Sequence, residues 1–100
     1  MRNILIIGAG RSATSLIKYL LDKSDSETLF LTIGDLNIQN AQKFTSGHPN
    51  GRGILLDVFN ANQRREAVEN ADIVISMLPA RYHMEVAKDC LEFGKNLVTA

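Results

Sequence analysis

The sequence predicts an α/β protein in which a doubly wound parallel sheet carries helices on both faces. Three observations predict it. Short apolar runs alternate with helical patterns through all 100 residues, which is how βαβ units are written. The first run, Ile4-Leu5-Ile6-Ile7, is continuously apolar where a half-exposed strand would alternate, so it reads as a central strand covered on both faces. A small-residue turn, Gly8-Ala9-Gly10, follows it directly and opens an amphipathic helix.

From that turn, Ala13, Leu16, Ile17, Leu20 and Leu21 recur at the spacing of one apolar helical stripe, which ends between Asp22 and Ser26. Thr28 to Ile33 is β-branched and aromatic enough for a second strand, closed by Gly34-Asp35, and Asn37 to Phe44 forms a second helix. The polar stretch Thr45 to Gly53 reads as a turn, with Ser46-Gly47 and His48-Pro49-Asn50-Gly51 as its breakers. Ile54 to Asp57 is the expected third strand, Asn62 to Asn70 a short helix rich in charge, and Ile73 to Met77 the fourth strand, with Asp72 just before it. Beyond Pro79 a helix runs to about Phe93 and is expected to bury Val86, Ala87, Cys90 and Leu91 before Gly94 caps it. Asn96 to Thr99 begins a fifth strand. Right-handed crossovers leave the order 3-2-1-4-5 as the economical arrangement of one domain, residues 1–100.

Composition bounds the partners. Apolar residues make up 45% and charged residues 22%, and 11 basic against 11 acidic side chains leave no net field to attract nucleic acid or anionic lipid. The apolar run before Gly8, Ile4 to Ile7, is only four residues long, too short for a signal peptide or a membrane span, so no membrane partner and a cytoplasmic location are expected. Cys90 is the single cysteine, which excludes an internal disulfide or a cysteine cluster for zinc and places it in the core. His48 lies in the polar turn without a plausible partner, and His83, at a helix start, reads as a packing or capping residue.

Gly8-Ala9-Gly10-Arg11-Ser12-Ala13 fits G-x-G-x-x-A, and each small residue has its own physical task. Gly8 permits the tight strand-to-helix turn, Gly10 lets backbone approach a pyrophosphate, and Ala13 lets the helix pack against the strand. The motif follows an apolar strand, opens a helix and precedes an acidic strand end, so the fold class sharpens to a Rossmann-type sheet that binds a dinucleotide. The helix amino-terminus offers N–H groups and the positive end of its dipole to the diphosphate, with Arg11 and Ser12 in its first turn. Asp35 stands 22 residues after Ala13, near the interval at which a carboxylate accepts from the adenosine ribose. A carboxylate there repels a 2′-phosphate, and no Lys or Arg follows until Lys43, so NAD is favoured, with NADP as the alternative. Asp57-Val58, at the expected end of the third strand, meets the adenine. Ser76-Met77-Leu78-Pro79-Ala80 closes the fourth strand on the same side of the sheet, where the nicotinamide belongs. No metal site, nucleophile with its base or carboxylate pair is visible, so no catalytic residue is assigned.

Ile4 to Gly10, Asp57-Val58, the run Ile73 to Pro79 with His83 four residues on, and the closing Asn96-Leu97-Val98-Thr99-Ala100 resemble the amino-terminal domain of saccharopine dehydrogenase. The resemblance spans nearly the whole chain. It implies an oxidoreductase of lysine metabolism that moves a hydride at a carbon–nitrogen bond, an imine or secondary amine, using NAD or NADP. It implies cofactor contacts from Gly8 to Ala13, Asp35, Gln39, Asp57, Val58, Met77 and Leu78, and substrate contacts at Pro79 and Ala80, where the family often has an aromatic residue after the proline. A small amino-acid-like substrate, and a homodimer, are expected to need a further domain beyond residue 100, so the chain reads as a fragment inactive in isolation. A nucleotide-sensing module without catalysis, as in transporter regulatory domains, is the alternative.

Overall fold

The computed structural model describes residues 1–10 and 13–99. Its first strand, β1 (Arg2–Ile7), buries Ile4 to Ile7 so fully that none is more than 5% exposed. β1 pairs in parallel with β2 (Leu29–Asp35) on one side and β4 (Ile73–Ser76) on the other. β3 (Gly51–Leu55) joins β2 and β5 (Asn96–Thr99) joins β4, giving the order β3-β2-β1-β4-β5 that the sequence predicts. Side chains alternate between the two faces of the sheet. Ile4, Ile6, Leu31 and Ile33 meet α1 (Thr14–Lys23) and α2 (Ile38–Gln42) through Ala13, Ile17, Leu21 and Ala41. Leu5, Ile7 and Val74 meet α3 (Ala61–Glu69) and α4 (His83–Phe93) through Val68, Val86 and Cys90. No described helix is long and apolar enough to cross a membrane.

The ends of these elements have local causes. The side-chain oxygens of Asn37 and Asn60 accept the first N–H groups of α2 and α3, as helix-capping residues do. Gly94, at φ 68°, ends α4 in the left-handed conformation expected of it. Before α4, Ala80–Tyr82 makes one 3-10 turn after Pro79.

Three sequence expectations need correction. The third strand starts at Gly51 and ends at Leu55, three residues earlier than Ile54 and two before Asp57. A side-chain carbon on Gly53 would stand 2.4 Å from the Ala41 carbonyl, so the glycine read as the end of the polar turn is what lets α2 lie on the strand. In α4, Leu91 is 85% exposed, not buried, because Val86, Asp89 and Cys90 form the inward stripe. His48 does have a partner, since its Nδ1 accepts the Asn50 N–H at 3.1 Å within the turn.

The charge-rich α3 is more than a solvated face. Arg64 is 7% exposed and Asp89 of α4 is 3% exposed, and their side chains meet at 2.5 Å. Arg65 extends the contact outward to Asp89 and Glu92. Burial, with the Asp89 carboxylate beside it, pushes the Cys90 thiol above its ordinary value, so it stays protonated and inert as the core reading expects.

Gly53→Ala should cost about 2 kcal/mol through overpacking against α2, read from the urea midpoint. The Arg65 guanidinium holds the Glu92 carboxyl below its usual range by a hydrogen bond and by charge. The stability from this pair is therefore present above the ordinary glutamate value and lost as pH falls through the lowered one. In an NMR titration, Arg65→Met should return the Glu92 carboxyl to the ordinary range.

Candidate cofactor site

The carboxyl ends of β1, β2 and β4 lie side by side, and the chain leaves each of them through a short turn. Helices on opposite faces follow β1 and β4, so the chain leaves these neighbouring strands toward opposite faces and a crevice opens there. β1 delivers Gly8 at φ 97°, a conformation that side chains rarely adopt, so the turn itself demands glycine. The Gly8 N–H donates to Gly34 O at 2.8 Å, and Met77 N–H donates to Ile7 O at 2.9 Å. The glycine turn thus sits in register with both neighbours, with Met77 and Leu78 3.5–3.6 Å from where a Gly8 side chain would begin. A side chain added at Gly10 would meet nothing within 4 Å. Packing against the described residues does not require that glycine, and a side-chain carbon there would enter open space. Ala13 is 1% exposed against the core, as its packing task demands. Arg11 and Ser12 lie outside the described residues, as does Ala100.

Asp35 is the most constrained polar side chain here. One carboxylate oxygen accepts the Ala9 N–H at 2.7 Å and the other accepts the Asn37 N–H at 2.8 Å. The first bond reaches across from β2 to the glycine turn and the second starts the approach to α2. A carboxylate has about four acceptor positions, so both oxygens keep capacity for further donors.

A pocket of about 190 Å³ opens at these tips, lined by Gly8, Asp35, Val58 and Leu78 of the predicted set and by Leu36, Phe59 and Tyr82, among others. That volume falls below the ~300 Å³ at which whole-ligand sites begin, so it suits one end of a dinucleotide. Leu36 and Phe59 are 66% and 68% exposed at its rim, and Phe59 meets Tyr82 edge-to-face with ring centroids 5.2 Å apart. Sequence reasoning missed these three; an apolar residue directly after a strand-end carboxylate was the available signal for Leu36. A larger cleft of about 500 Å³ lies between α3 and the β2–β3 side of the sheet, and no predicted site residue lines it.

Other predicted residues stand apart from the pocket. Asp57 does not end a strand: its Oδ1 accepts the Phe59 N–H at 2.9 Å and its own N–H donates to Gln63 Oε1 at 3.0 Å, so it shapes the β3–α3 turn. Gln39 is exposed in the first turn of α2, and Pro79 and Ala80 are exposed after β4. His83 Nε2 lies 2.6 Å from Leu78 O; a carbonyl only accepts, so the ring nitrogen donates, and the histidine braces the turn as a capping residue. Ser76 Oγ is buried without a partner among the described residues.

Residues 4–100 match the family model for the saccharopine dehydrogenase NADP binding domain. The chain belongs to this family. It is 31% identical over 99% of its length to the saccharopine dehydrogenase (NADP(+), L-glutamate-forming) of Schizosaccharomyces pombe, of which it covers 21%. It is 28% identical over 97% of its length to the alpha-aminoadipic semialdehyde synthase of Arabidopsis thaliana, covering 11% of that protein. The structure superposes on apo saccharopine dehydrogenase (L-Glu forming) from Saccharomyces cerevisiae with a TM-score of 0.87 at 26% identity, covering 99% of this chain and 21% of the other. The chain thus spans about a fifth of the length of the dehydrogenase it matches and about a tenth of the synthase. The family's NADP binding agrees with the nicotinamide dinucleotide expected from the glycine motif.

Asp35→Ala removes the acceptor of two backbone N–H groups at once. Hydrogen exchange should quicken at Ala9 and Asn37 while β1 amides stay protected, and stability should fall by about 2 kcal/mol, since each donor loses a bond to a charged acceptor.

Proposed function

We propose that this domain binds NAD in preference to NADP, and that it serves as the cofactor half of a longer dehydrogenase acting at a carbon–nitrogen bond. The observation that carries the preference is Asp35, a carboxylate held at the tip of β2 by two backbone N–H groups. A fixed negative charge there accepts ribose hydroxyls and repels a 2′-phosphate. The next cation along the chain, Lys43, sits over the Phe44 ring, with its nitrogen 4.9 Å from the ring centre.

The remaining roles follow from position. The open backbone at Gly10 and the start of α1, with Arg11 and Ser12, receive the diphosphate. Leu36, Val58 and Phe59 give the adenine an apolar slot; Asp57 supports that slot by shaping its turn, and Gln39, in the first turn of α2, lies outside it. Leu78 closes that slot opposite Val58; Met77 flanks the nicotinamide, and Pro79 and Ala80 face the substrate. When bound, the nicotinamide gives a hydride to, or takes one from, the carbon of an imine or secondary amine. This chain's share is to hold the dinucleotide across the sheet ends. Saccharopine or a similar amino-acid conjugate is the substrate class we infer, held together with the remainder of a longer, cytoplasmic and dimeric protein. Family membership beside full-length dehydrogenases supports this enzyme over a sensing module.

Calorimetry with NADH and NADPH tests the reading. NADH should bind the folded chain at least tenfold more tightly than NADPH, given one fixed carboxylate beside a phosphate dianion. Asp35→Ala should narrow that ratio. Equal affinities in the unchanged chain would overturn the preference, and no binding of either would overturn the cofactor role.

A further inference from the structure

Arg64 is a buried cation on the helix whose other face is charged and solvated. Against an apolar pair of similar volume, a buried guanidinium–carboxylate pair is not a net stabiliser, so core packing alone does not account for it. What a guanidinium does that an apolar side chain cannot is donate to several acceptors at once in a fixed fork. Here its Nε meets Asp89 Oδ2 at 2.5 Å while its Nη1 donates to Val58 O at 2.8 Å, with Glu85 4.0 Å from Nη2.

These acceptors connect the two walls of the pocket. Val58 lies on one wall with Phe59. Asp89 lies on α4, whose first residue, His83, donates to the carbonyl of Leu78 on the other wall. The other side-chain bonds of the β3–α3 turn, from the Asp57 N–H to Gln63 Oε1, from the Gln63 N–H to Asn60 Oδ1 and from the Phe59 N–H to Asp57 Oδ1, stay within the turn or tie it to α3. Among the described residues, Arg64 is the side chain that bonds both this turn and α4.

We propose that Arg64 is a positioning residue for the cofactor, fastening the Val58–Phe59 wall to α4 and so setting the width of the slot that takes the adenosine end. The inference rests on the cofactor role proposed above. Arg64 does not line the pocket and acts through the Val58 carbonyl.

The test replaces the buried pair by an apolar one, Arg64→Met with Asp89→Leu, which leaves no unpaired charge. Arg64→Lys is the second variant; it keeps a cation for Asp89 but loses the planar fork. Val68→Ala serves as a control that weakens the same core layer without touching the clasp. Calorimetry with NADH and with ADP-ribose is run where circular dichroism shows each protein folded. Both dissociation constants should rise about tenfold in the double variant, the scale expected when a site is misplaced by a fraction of an ångström. The lysine variant should fall between, and the control should match the unchanged chain. Dissociation constants within twofold of the unchanged chain, in either folded Arg64 variant, overturn the proposal, as does an equal loss in Val68→Ala. Should the double variant not fold, Arg64→Lys decides by the same threshold. Failure of the unchanged chain to bind either ligand sinks the cofactor role itself.

Discussion

Burial of Ile4 to Ile7 on both sides of the sheet is the constraint on which the rest of the structure depends. Each of those side chains is worth about 2 kcal/mol when fully removed from water, but only if something covers both faces at once. That forces helices above and below, and in a parallel sheet it forces every connection to be a crossover. β1 therefore sits in the middle, flanked by β2 and β4, whose following helices lie on opposite faces. The crevice at its tip is a consequence of that burial, and the glycine turn occupies it.

The site that results is built largely from main chain. Gly8 is held by the Gly34 carbonyl, Met77 by the Ile7 carbonyl and Ala9 by the Asp35 carboxylate. In the proposed function Asp35 has a double role, since the charge assigned to the ribose also fixes, through the Ala9 N–H, the loop assigned to the diphosphate. Selectivity and loop geometry are then coupled through one side chain. A change of cofactor preference at this position has to replace an internal hydrogen bond as well as a charge.

The layer of α3 and α4 shows a second use of charge. Arg64, Arg65, Asp89 and Glu92 form a clasp that runs from the core to the surface. Its outer pair is exposed to solvent and salt, where such pairs contribute little. The inner pair is dry and holds a loop carbonyl as well as its counter-ion, which gives it consequences for shape beyond its contribution to stability.

Element type and order were legible in the sequence because they rest on periodicity and on turn chemistry, which are local. Strand β1, helix α1, the sheet order, the Gly94 cap and the glycine motif all follow from spacing along the chain. The β3 boundaries were not legible, because Gly51 and Gly53 look like turn residues until Leu21 and Thr45 are seen against the first and α2 against the second. The inward turn of Asp89 in place of Leu91 was hidden for the same reason, since its partner Arg64 is 25 positions away. By itself the sequence determined a doubly wound parallel fold, a dinucleotide turn and an acidic strand end. Only the tertiary structure decided what Asp35 holds, which apolar side chains rim the pocket and how its two walls are joined. Those are contacts between segments distant in sequence, and no local pattern encodes which atoms will meet.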